Sequence, residues 1–265
     1  AEKELLNSAF SFIRPGLGQW DDYTDFLFEN LSEEEKIGLD GRLFSIKQIR
    51  KLQKQLERKK IKADFSCDLI QDIWPDRPSL PSFPAFDHPV GFSGKERAVK
   101  IDQIRAKMKI KSLDWQLLCS PDDIMWLLNI RGNDLKYTPV LFSFALVGQE
   151  QILLFTDETK IPPKTASDFD KLGIVILPYE ETAEIISSVT GNSSVLIDPA
   201  TTSFALYNSV SVASEIIEDI SIPSQLKAVK NKTEIENLNK VMIADGVALV
   251  MLFYWFESCY ENAQL

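Results

Sequence analysis

A polar loop in the middle of the chain carries the residue types best suited to binding a ligand. Arg131, Asp134 and Tyr137 lie in the stretch NIRGNDLKYTP, between an apolar helical pattern and an apolar strand pattern. A guanidinium, a carboxylate and a phenol can together hold a polar group, and binding residues concentrate on loops that a rigid scaffold positions. An arginine and an aspartate three residues apart can equally fix the loop to itself. Both interpretations stay open from the sequence.

The other motifs do not assemble a catalytic site. His88 is the one histidine of the chain, which excludes HExxH zinc sites because they need two. Its place in a proline-rich stretch favours a structural or solvent-facing role over a contact at a domain junction. Neither a GxSxG turn nor a complete phosphate-binding glycine motif occurs. Asp122 and Asp123 fit the first turn of a helix. We therefore predict no catalytic and no metal-ligating residue.

Composition and charge limit the class of protein. With 265 residues, 45% of them hydrophobic and 26% charged, the chain is long enough for two folded domains. Its net charge of -10 argues against nucleic-acid binding, which needs clustered cations. The basic run at 47–62 has apolar residues at helical spacing, so we interpret it as the solvated face of a surface helix. Three widely spaced cysteines indicate a reducing, intracellular compartment.

No membrane segment is expected from the apolar runs. The longest, VALVMLFYWF, is shorter than the roughly 20 residues that a membrane-spanning helix needs, and the first residues, AEKELLNSAF, lack the apolar core of a signal peptide. The first residue is not methionine, which suggests that residue 1 is a cut within a longer polypeptide.

The patterns divide the chain into three regions. In residues 1–90 we expect a helix over 1–10, a strand at KIGLD, a helix capped by Ser45 and Gln48, and an extended proline-rich crossing over 74–90. Residues 91–222 alternate helical and strand patterns, which is typical of an α/β domain. Residues 223–265 form the third region.

Within the middle region the strands and helices can be placed in more detail. Strands are predicted at LLC, VLFSFALV, QILLFT, GIVILP and SVLIDP, with a hairpin turn at 148–150. One helix should begin with Ser120 as cap and Pro121 in its first turn, and end at Gly132. The expected fold is a mixed sheet with helices on its faces.

The third region is one helix over about 231–256. Asn231 and Glu234 have the spacing of a capping box. Ile235, Leu238 and Met242 predict a single buried stripe in its first half. From Val247 to Phe256 every residue is apolar or aromatic, so we expect the second half to be covered on all sides by chain that lies outside these residues.

Collinear stretches of the sequence resemble the three-domain Xaa-Pro aminopeptidases, the aminopeptidase P type of pita-bread metallopeptidase. DIMWLLNIRGNDLKYTPVLFSFALV (123–147) resembles the middle domain of that family. DLIQDIWPDRPSLPSFPAFDHPVGFSGKERAVKIDQIRAKM (68–108) resembles the crossing between its first and second domains. LKAVKNKTEIENLNKVMIADGVALVMLFYWFE (226–257) resembles the start of its catalytic domain, and AEKELLNSAFSFIRPG resembles the end of the first domain's sheet.

The resemblance implies a fold and a division into domains. It implies a creatinase/aminopeptidase P N-terminal-type α/β domain, with a mixed sheet flanked by helices, over 91–222. Residues 1–90 would be the last part of a preceding domain of the same type, with the proline-rich strap. Residues 223–265 would be the start of a pita-bread domain, beginning with its first helix.

The resemblance also implies an activity for a longer parent protein. In this family, two metal ions, usually manganese, activate a hydroxide that removes an N-terminal residue preceding proline. The ligands are two aspartates, one histidine and two glutamates, and none can be placed in this chain. We therefore expect the chain itself to bind no metal and to be inactive. Its parent would be a cytoplasmic homodimer that acts on short peptides with proline in second position. It would bind neither nucleic acid nor a membrane.

Two alternatives to this interpretation stay open. The chain could be a naturally truncated relative that acts as a binding or dimerisation scaffold, or an unrelated α/β ligand-binding module. By analogy with related enzymes, whose non-catalytic domain overhangs the metal cleft, the loop with Arg131, Asp134 and Tyr137 is the candidate for a rim that faces substrate.

Overall fold

The proline-rich stretch that ends the first region contains the boundary between two compact units. The computed structural model describes residues 22–71 and 73–261. Chain contacts divide the protein into two compact units, one of Ala1–Pro78 with Ser203–Tyr207 and one of Ser79–Thr202 with Asn208–Leu265. The helix predicted over 1–10 lies outside the described residues. The three domain boundaries expected from the sequence remain predictions.

The first unit is a small α/β layer. Its elements are α1 (Asp22–Asn30), β1 (Lys36–Gly38), α2 (Ile46–Leu56), a 3₁₀ turn (Glu57–Lys59) and β2 (Lys62–Asp64), and β1 pairs with β2 in parallel. The predicted cap of α2 is confirmed, because Ser45 Oγ accepts from the Gln48 amide at 3.3 Å and Gln48 Oε1 accepts from the Ser45 amide at 2.9 Å. The basic run does form a helix with one buried apolar face, made of Ile46, Ile49, Leu52 and Leu56.

The second unit is built on a six-stranded mixed sheet. Its strands are β4 (Trp115–Leu118), β6 (Phe144–Gly148), β7 (Ile152–Phe155), β8 (Ile174–Leu177), β9 (Ser194–Ile197) and β10 (Glu215–Glu218), in the spatial order β10-β9-β4-β6-β7-β8. The pairs β10 with β9, β9 with β4 and β7 with β8 are parallel, and β6 is antiparallel to both of its neighbours. A separate two-stranded pair joins β3 (Phe86–Asp87) to β5 (Ile130–Arg131).

Helices accompany the strands of this unit. They are α3 (Val90–Ser93), α4 (Arg97–Ile110), α5 (Pro121–Leu128), α6 (Pro163–Asp170), α7 (Thr182–Val189), α9 (Ile222–Ala228) and α10 (Lys232–Glu261), while the intervening α8 (Phe204–Ser209) lies mostly in the first unit. Alternate strand residues point to opposite faces of a sheet, and both sets are buried here, as Leu117 and Leu118 show. The predicted mixed sheet flanked by helices is confirmed.

The end of α5 differs from the prediction. The helix ends at Asn129, which has φ +49°, and not at Gly132. Asparagine tolerates the left-handed conformation that closes a helix, so a glycine was not needed there. Gly132 instead passes close to the backbone where the loop returns, and a Cβ there would lie 2.8 Å from the Val140 carbonyl oxygen. The strand β10 and the helix α9 were not predicted from the sequence.

The long helix α10 begins as predicted and packs differently from the prediction. Asn231 Oδ1 accepts from the Glu234 amide at 3.0 Å, and Glu234 Oε2 accepts from the Asn231 amide at 2.8 Å, which completes the capping box. The prediction that one stripe of this helix is buried is wrong among the described residues, because Ile235, Leu238 and Met242 are 47–60% exposed.

The second half of α10 is also uncovered by the described residues. Its large apolar side chains between Val247 and Phe256 are 51–73% exposed. By length and composition alone, the helix from Lys232 to Tyr260 could cross a membrane, although none of its most apolar stretch is buried. No membrane segment was expected from the sequence because only the unbroken apolar run was considered, and that run is shorter than this helix. Core helices of soluble proteins have the same length and apolar composition, so these two properties are weak evidence for a membrane segment.

Candidate functional site

The predicted site loop leaves the sheet region after β5 and returns at Val140. The Asp134 amide donates to the Val140 carbonyl at 3.1 Å, and the Thr138 amide donates to the Leu135 carbonyl at 3.2 Å. The loop is therefore a closed turn that is held at its base by backbone hydrogen bonds.

Asp134 is the inward anchor of this loop. Its Oδ2 accepts from the Phe142 amide at 2.6 Å and lies 3.0 Å from Lys160 Nζ. The two side chains of this ion pair are 0% and 4% exposed. The other carboxylate oxygen, Oδ1, is buried and has no donor among the described residues. Asp134 thus fixes the loop to the chain just before β6 and to the turn after β7. These partners are farther away in sequence than Arg131, the partner considered above.

Arg131 is turned away from Asp134 and towards a helix end. Its Nη1 donates to the carbonyls of Met125 at 3.0 Å and Ile130 at 2.8 Å. The last carbonyls of a helix lack partners within the helix, and a cation near them is favourable. Burial lowers the pKa of the Arg131 guanidinium. The structure therefore gives Arg131 a capping role at the end of α5.

Tyr137 is the member of the predicted site that faces solvent. Its side chain is 91% exposed, and its backbone has φ +65°, which is uncommon for a residue with a side chain. The Lys136 ammonium lies 5.0 Å from the centre of its ring. The three predicted residues thus share a loop but not a surface, since only Tyr137 is available to a partner.

A buried lysine next to this loop was missed in the sequence. Lys100 is 1% exposed, and its Nζ donates to the Trp126 carbonyl at 2.8 Å and to Asn129 Oδ1 at 2.6 Å. The ammonium also lies 4.5 Å from the centre of the Trp126 ring. Burial lowers its pKa to about 8. A signal was present, because Lys100 is four residues before Ile104 and therefore on the apolar stripe of α4.

Asn129 connects this lysine to the strap, and the neighbouring Ser93 binds the start of α10. Asn129 Nδ2 donates to the Lys95 carbonyl at 2.8 Å, and its own carbonyl accepts from the His88 amide at 2.8 Å. The His88 ring stacks on Phe92 with centroids 5.8 Å apart, and burial lowers the pKa of this histidine. Asn231 Nδ2 in turn donates to the Ser93 carbonyl at 2.8 Å. These contacts give His88 the structural role that was favoured from the sequence.

The acidic pair at the start of α5 also holds the fold together. Asp123 is buried and accepts from the hydroxyls of Ser221 and Ser224, the latter at 2.8 Å, and it lies 2.6 Å from Lys227 Nζ. Asp122 pairs with the same lysine from the exposed side. These contacts join α5 to α9. Across residues 22–71 and 73–261, no three side chains of the metal-binding types come together.

Comparisons with known proteins agree with the resemblance in the sequence. Residues 76–234 match the family described as Creatinase/Prolidase N-terminal domain. The chain is 34% identical to Xaa-Pro aminopeptidase 1 of Dictyostelium discoideum, with 97% of this chain and 42% of that protein aligned. It is 31% identical to Xaa-Pro aminopeptidase ApepP of Drosophila melanogaster, again over 97% of this chain and 42% of the relative.

A solved structure extends the agreement to three dimensions. The X-prolyl aminopeptidase of Caenorhabditis elegans, described as a cytosolic enzyme with a di-nuclear active site, superposes with a TM-score of 0.80 and 28% identity. The superposition covers 93% of this chain and 41% of that enzyme. The chain thus spans about two fifths of the length of the relatives that it matches. Its family match covers more than half of its residues, and the chain belongs to the creatinase/prolidase N-terminal domain family.

Proposed function

We propose that this chain is part of a metal-dependent Xaa-Pro aminopeptidase, which removes the N-terminal residue of a peptide whose second residue is proline. The observation that carries the proposal is the collinear match of 97% of the chain to proteins named Xaa-Pro aminopeptidase. A match of this extent includes the strap, the middle sheet and the long helix, and so does not rest on one motif.

The domain assignment is part of the proposal. Residues 1–90 would complete a first domain, residues 91–222 would be the whole middle domain, and residues 223–265 would begin the catalytic pita-bread domain. The uncovered α10 supports this assignment. Burying one large apolar side chain contributes roughly 1.5 to 3 kcal/mol, so a helix with apolar residues on every side is most stable inside a larger domain.

The proposed metals are not assigned to the residues described here. The expected ligand set of two aspartates, one histidine and two glutamates does not fit them, because residues 22–71 and 73–261 bring no three such groups together. The single histidine, His88, stacks on Phe92. We propose that two ions, with manganese as the expected metal, belong to sequence that the relatives carry beyond the part matched by this chain. The proposed parent is a cytoplasmic homodimer that acts on short peptides.

The activity can be tested by comparing two lengths of the protein. The 265-residue chain should show no Mn²⁺-dependent release of the first residue from an Xaa-Pro peptide. A polypeptide that continues from Leu265 into the remaining length of the relatives should show turnover that chelation abolishes. Release of the N-terminal amino acid, followed by mass spectrometry, is the measurement.

Two outcomes would contradict the proposal. Robust metal-dependent turnover by the 265-residue chain would show that the metal site lies within these residues, contrary to the proposal. If the longer polypeptide had all five ligands and still showed no turnover, the peptidase activity would be excluded. A role as a non-catalytic scaffold would then be favoured. A peptide with alanine in place of proline is the control for specificity.

The loop of residues 131–137 is proposed as a rim that faces the substrate in the longer protein. Tyr137 is the side chain available for that role, since Asp134 and Arg131 are engaged within the fold. Tyr137→Ala should raise the KM for the Xaa-Pro peptide several-fold while leaving the unfolding temperature unchanged. An unchanged KM would return the loop to a purely structural role.

A further inference from the structure

A groove lies at the end of the two parallel strands β7 and β8. Both strands end at the same edge of the sheet, and the turns that follow them, Thr156–Lys160 and Pro178–Glu180, form two of its walls. Ser79, Leu80 and Pro81 of the strap form a third wall, and the cavity has a volume of about 630 Å³. In α/β sheets, ligands bind outside the carboxyl ends of strands, and cavities of about 300 to 1,000 Å³ hold ligands of drug size.

The surface of the groove is largely apolar. Phe142, Ile176 and Leu177 line its inner part, and Leu80 is half-exposed on the strap. The Tyr179 ring stacks on Phe144 with centroids 5.1 Å apart, which holds the ring in place. Burial raises the pKa of Tyr179, so its hydroxyl remains a neutral hydrogen-bond donor. This lining favours a ligand with apolar side chains.

The charge of the groove is negative. Asp157, Glu158 and Glu180 line it, and the structure gives the two glutamates no ion-pair partner among the described residues. Hydrogen bonds from the Thr159 hydroxyl and amide hold the pKa of Asp157 below its usual value, so this carboxylate stays ionised. The one lysine of the lining, Lys160, is buried and already paired with Asp134.

A second feature adjoins the groove through two of its lining residues. Asp134 is bound by Lys160 and by the Phe142 amide, both from residues that line the groove, and its Oδ1 is buried without a donor. Buried polar atoms are usually satisfied, and an exception suggests a water or ligand that completes the site. Asp134 itself is outside the lining, so its free oxygen marks spare hydrogen-bonding capacity directly behind the groove residues Phe142 and Lys160.

We propose that this groove binds a segment of peptide chain in which a lysine or arginine lies beside apolar residues. A metal ion is a poorer fit, because the described carboxylates do not converge into a group of three or more potential ligands. The carboxylates pair with the cationic side chain, and the apolar walls hold its neighbours.

The test is a binding measurement with blocked peptides. The probe is the C-amidated peptide Leu-Pro-Arg-Leu-Pro with fluorescein coupled to its N-terminus, which cannot serve as an aminopeptidase substrate because it has no free N-terminus. Its anisotropy is measured with the 265-residue chain, against the same peptide with glutamine in place of arginine. We expect the arginine peptide to bind roughly tenfold more tightly, with the difference reduced at high salt.

Variants locate the binding in the groove. Glu158→Gln with Glu180→Gln should weaken the arginine peptide roughly tenfold and leave the glutamine peptide unchanged. The matched control, Glu184→Gln with Glu215→Gln, removes the same charge from exposed residues outside the lining and should change neither. Equal binding of both peptides, or equal effects of both double variants, would overturn the proposal. A second copy of the chain in the groove would also overturn the proposal. It would be seen as a dimer that the groove variant dissociates, with no binding of either peptide.

Discussion

Replacing Lys160 with methionine should lower the free energy of unfolding by about 3 to 5 kcal/mol, because it leaves a buried carboxylate without its cation. The ammonium of Lys160 lies 3.0 Å from Asp134 Oδ2, and both side chains are almost fully buried. Methionine keeps much of the aliphatic stem, so lost charge compensation dominates over lost packing. Urea denaturation followed by tryptophan fluorescence measures the change. Faster hydrogen exchange of the Phe142 amide, which donates to the same carboxylate, should accompany it.

Two controls separate the ion pair from its surroundings. Adding Asp134→Asn to Lys160→Met should restore most of the lost stability, because the neutral amide keeps an acceptor for the Phe142 amide and removes the unpaired charge. Lys171→Met breaks the exposed pair with Asp168 and should have little effect. If Lys160→Met and Lys171→Met were equally mild, the pair would not be what fixes the loop.

Substituting Gly94 with alanine should destabilise the junction between α3 and α10 by about 2 to 5 kcal/mol. Gly94 has φ +65°, and a Cβ built on it would lie 2.3 Å from Asn231 Oδ1 and 2.7 Å from Thr233 Cβ. The left-handed backbone costs about 1 to 2 kcal/mol for a residue with a side chain, and overpacking adds about 1 to 3 kcal/mol. The capping residue Asn231 would be pushed away from the Ser93 carbonyl.

Trypsin cleavage after Lys230 or Lys232 measures this loosening, because both lysines lie at the start of α10. Gly94→Ala should increase the rate of cleavage there and lower the unfolding temperature. Gly91→Ala is the matched control, since no atom lies within 4 Å of the added Cβ. Identical behaviour of the two variants would show that the close approach at Gly94 does not control how α10 begins.

Local sequence signals predicted the parts of the fold that depend on neighbouring residues. The capping boxes of Ser45 with Gln48 and of Asn231 with Glu234 span three residues each, so spacing alone reveals them. The end of α5 was placed wrongly at Gly132 because Asn129, which can also adopt the left-handed conformation, comes first. Two candidate residues for the end of a helix differ in their conformational free energy by about a few tenths of a kcal/mol, and a sequence pattern cannot resolve so small a difference.

The candidate site was harder to predict because its contacts join distant residues. Asp134 and Lys160 meet only because the β6–β7 hairpin returns the chain to the base of the loop. No spacing rule connects residues so far apart. The exposed stripe of α10 shows a related limit, since periodicity identifies an apolar face but does not say which part of a protein covers it.

The first compact unit has a consequence for the order in which the protein can fold during synthesis. Its last pieces come from late in the chain: the Phe204 amide donates to the Phe44 carbonyl at 2.9 Å, and the Ala205 amide donates to the Gly41 carbonyl at 3.0 Å. Phe204 also packs its ring against Phe65 with centroids 4.8 Å apart. None of these contacts can form until the ribosome has produced every strand of the larger sheet except β10. The first unit is therefore completed only after most of the second unit has been made, although most of its own residues are synthesised earlier.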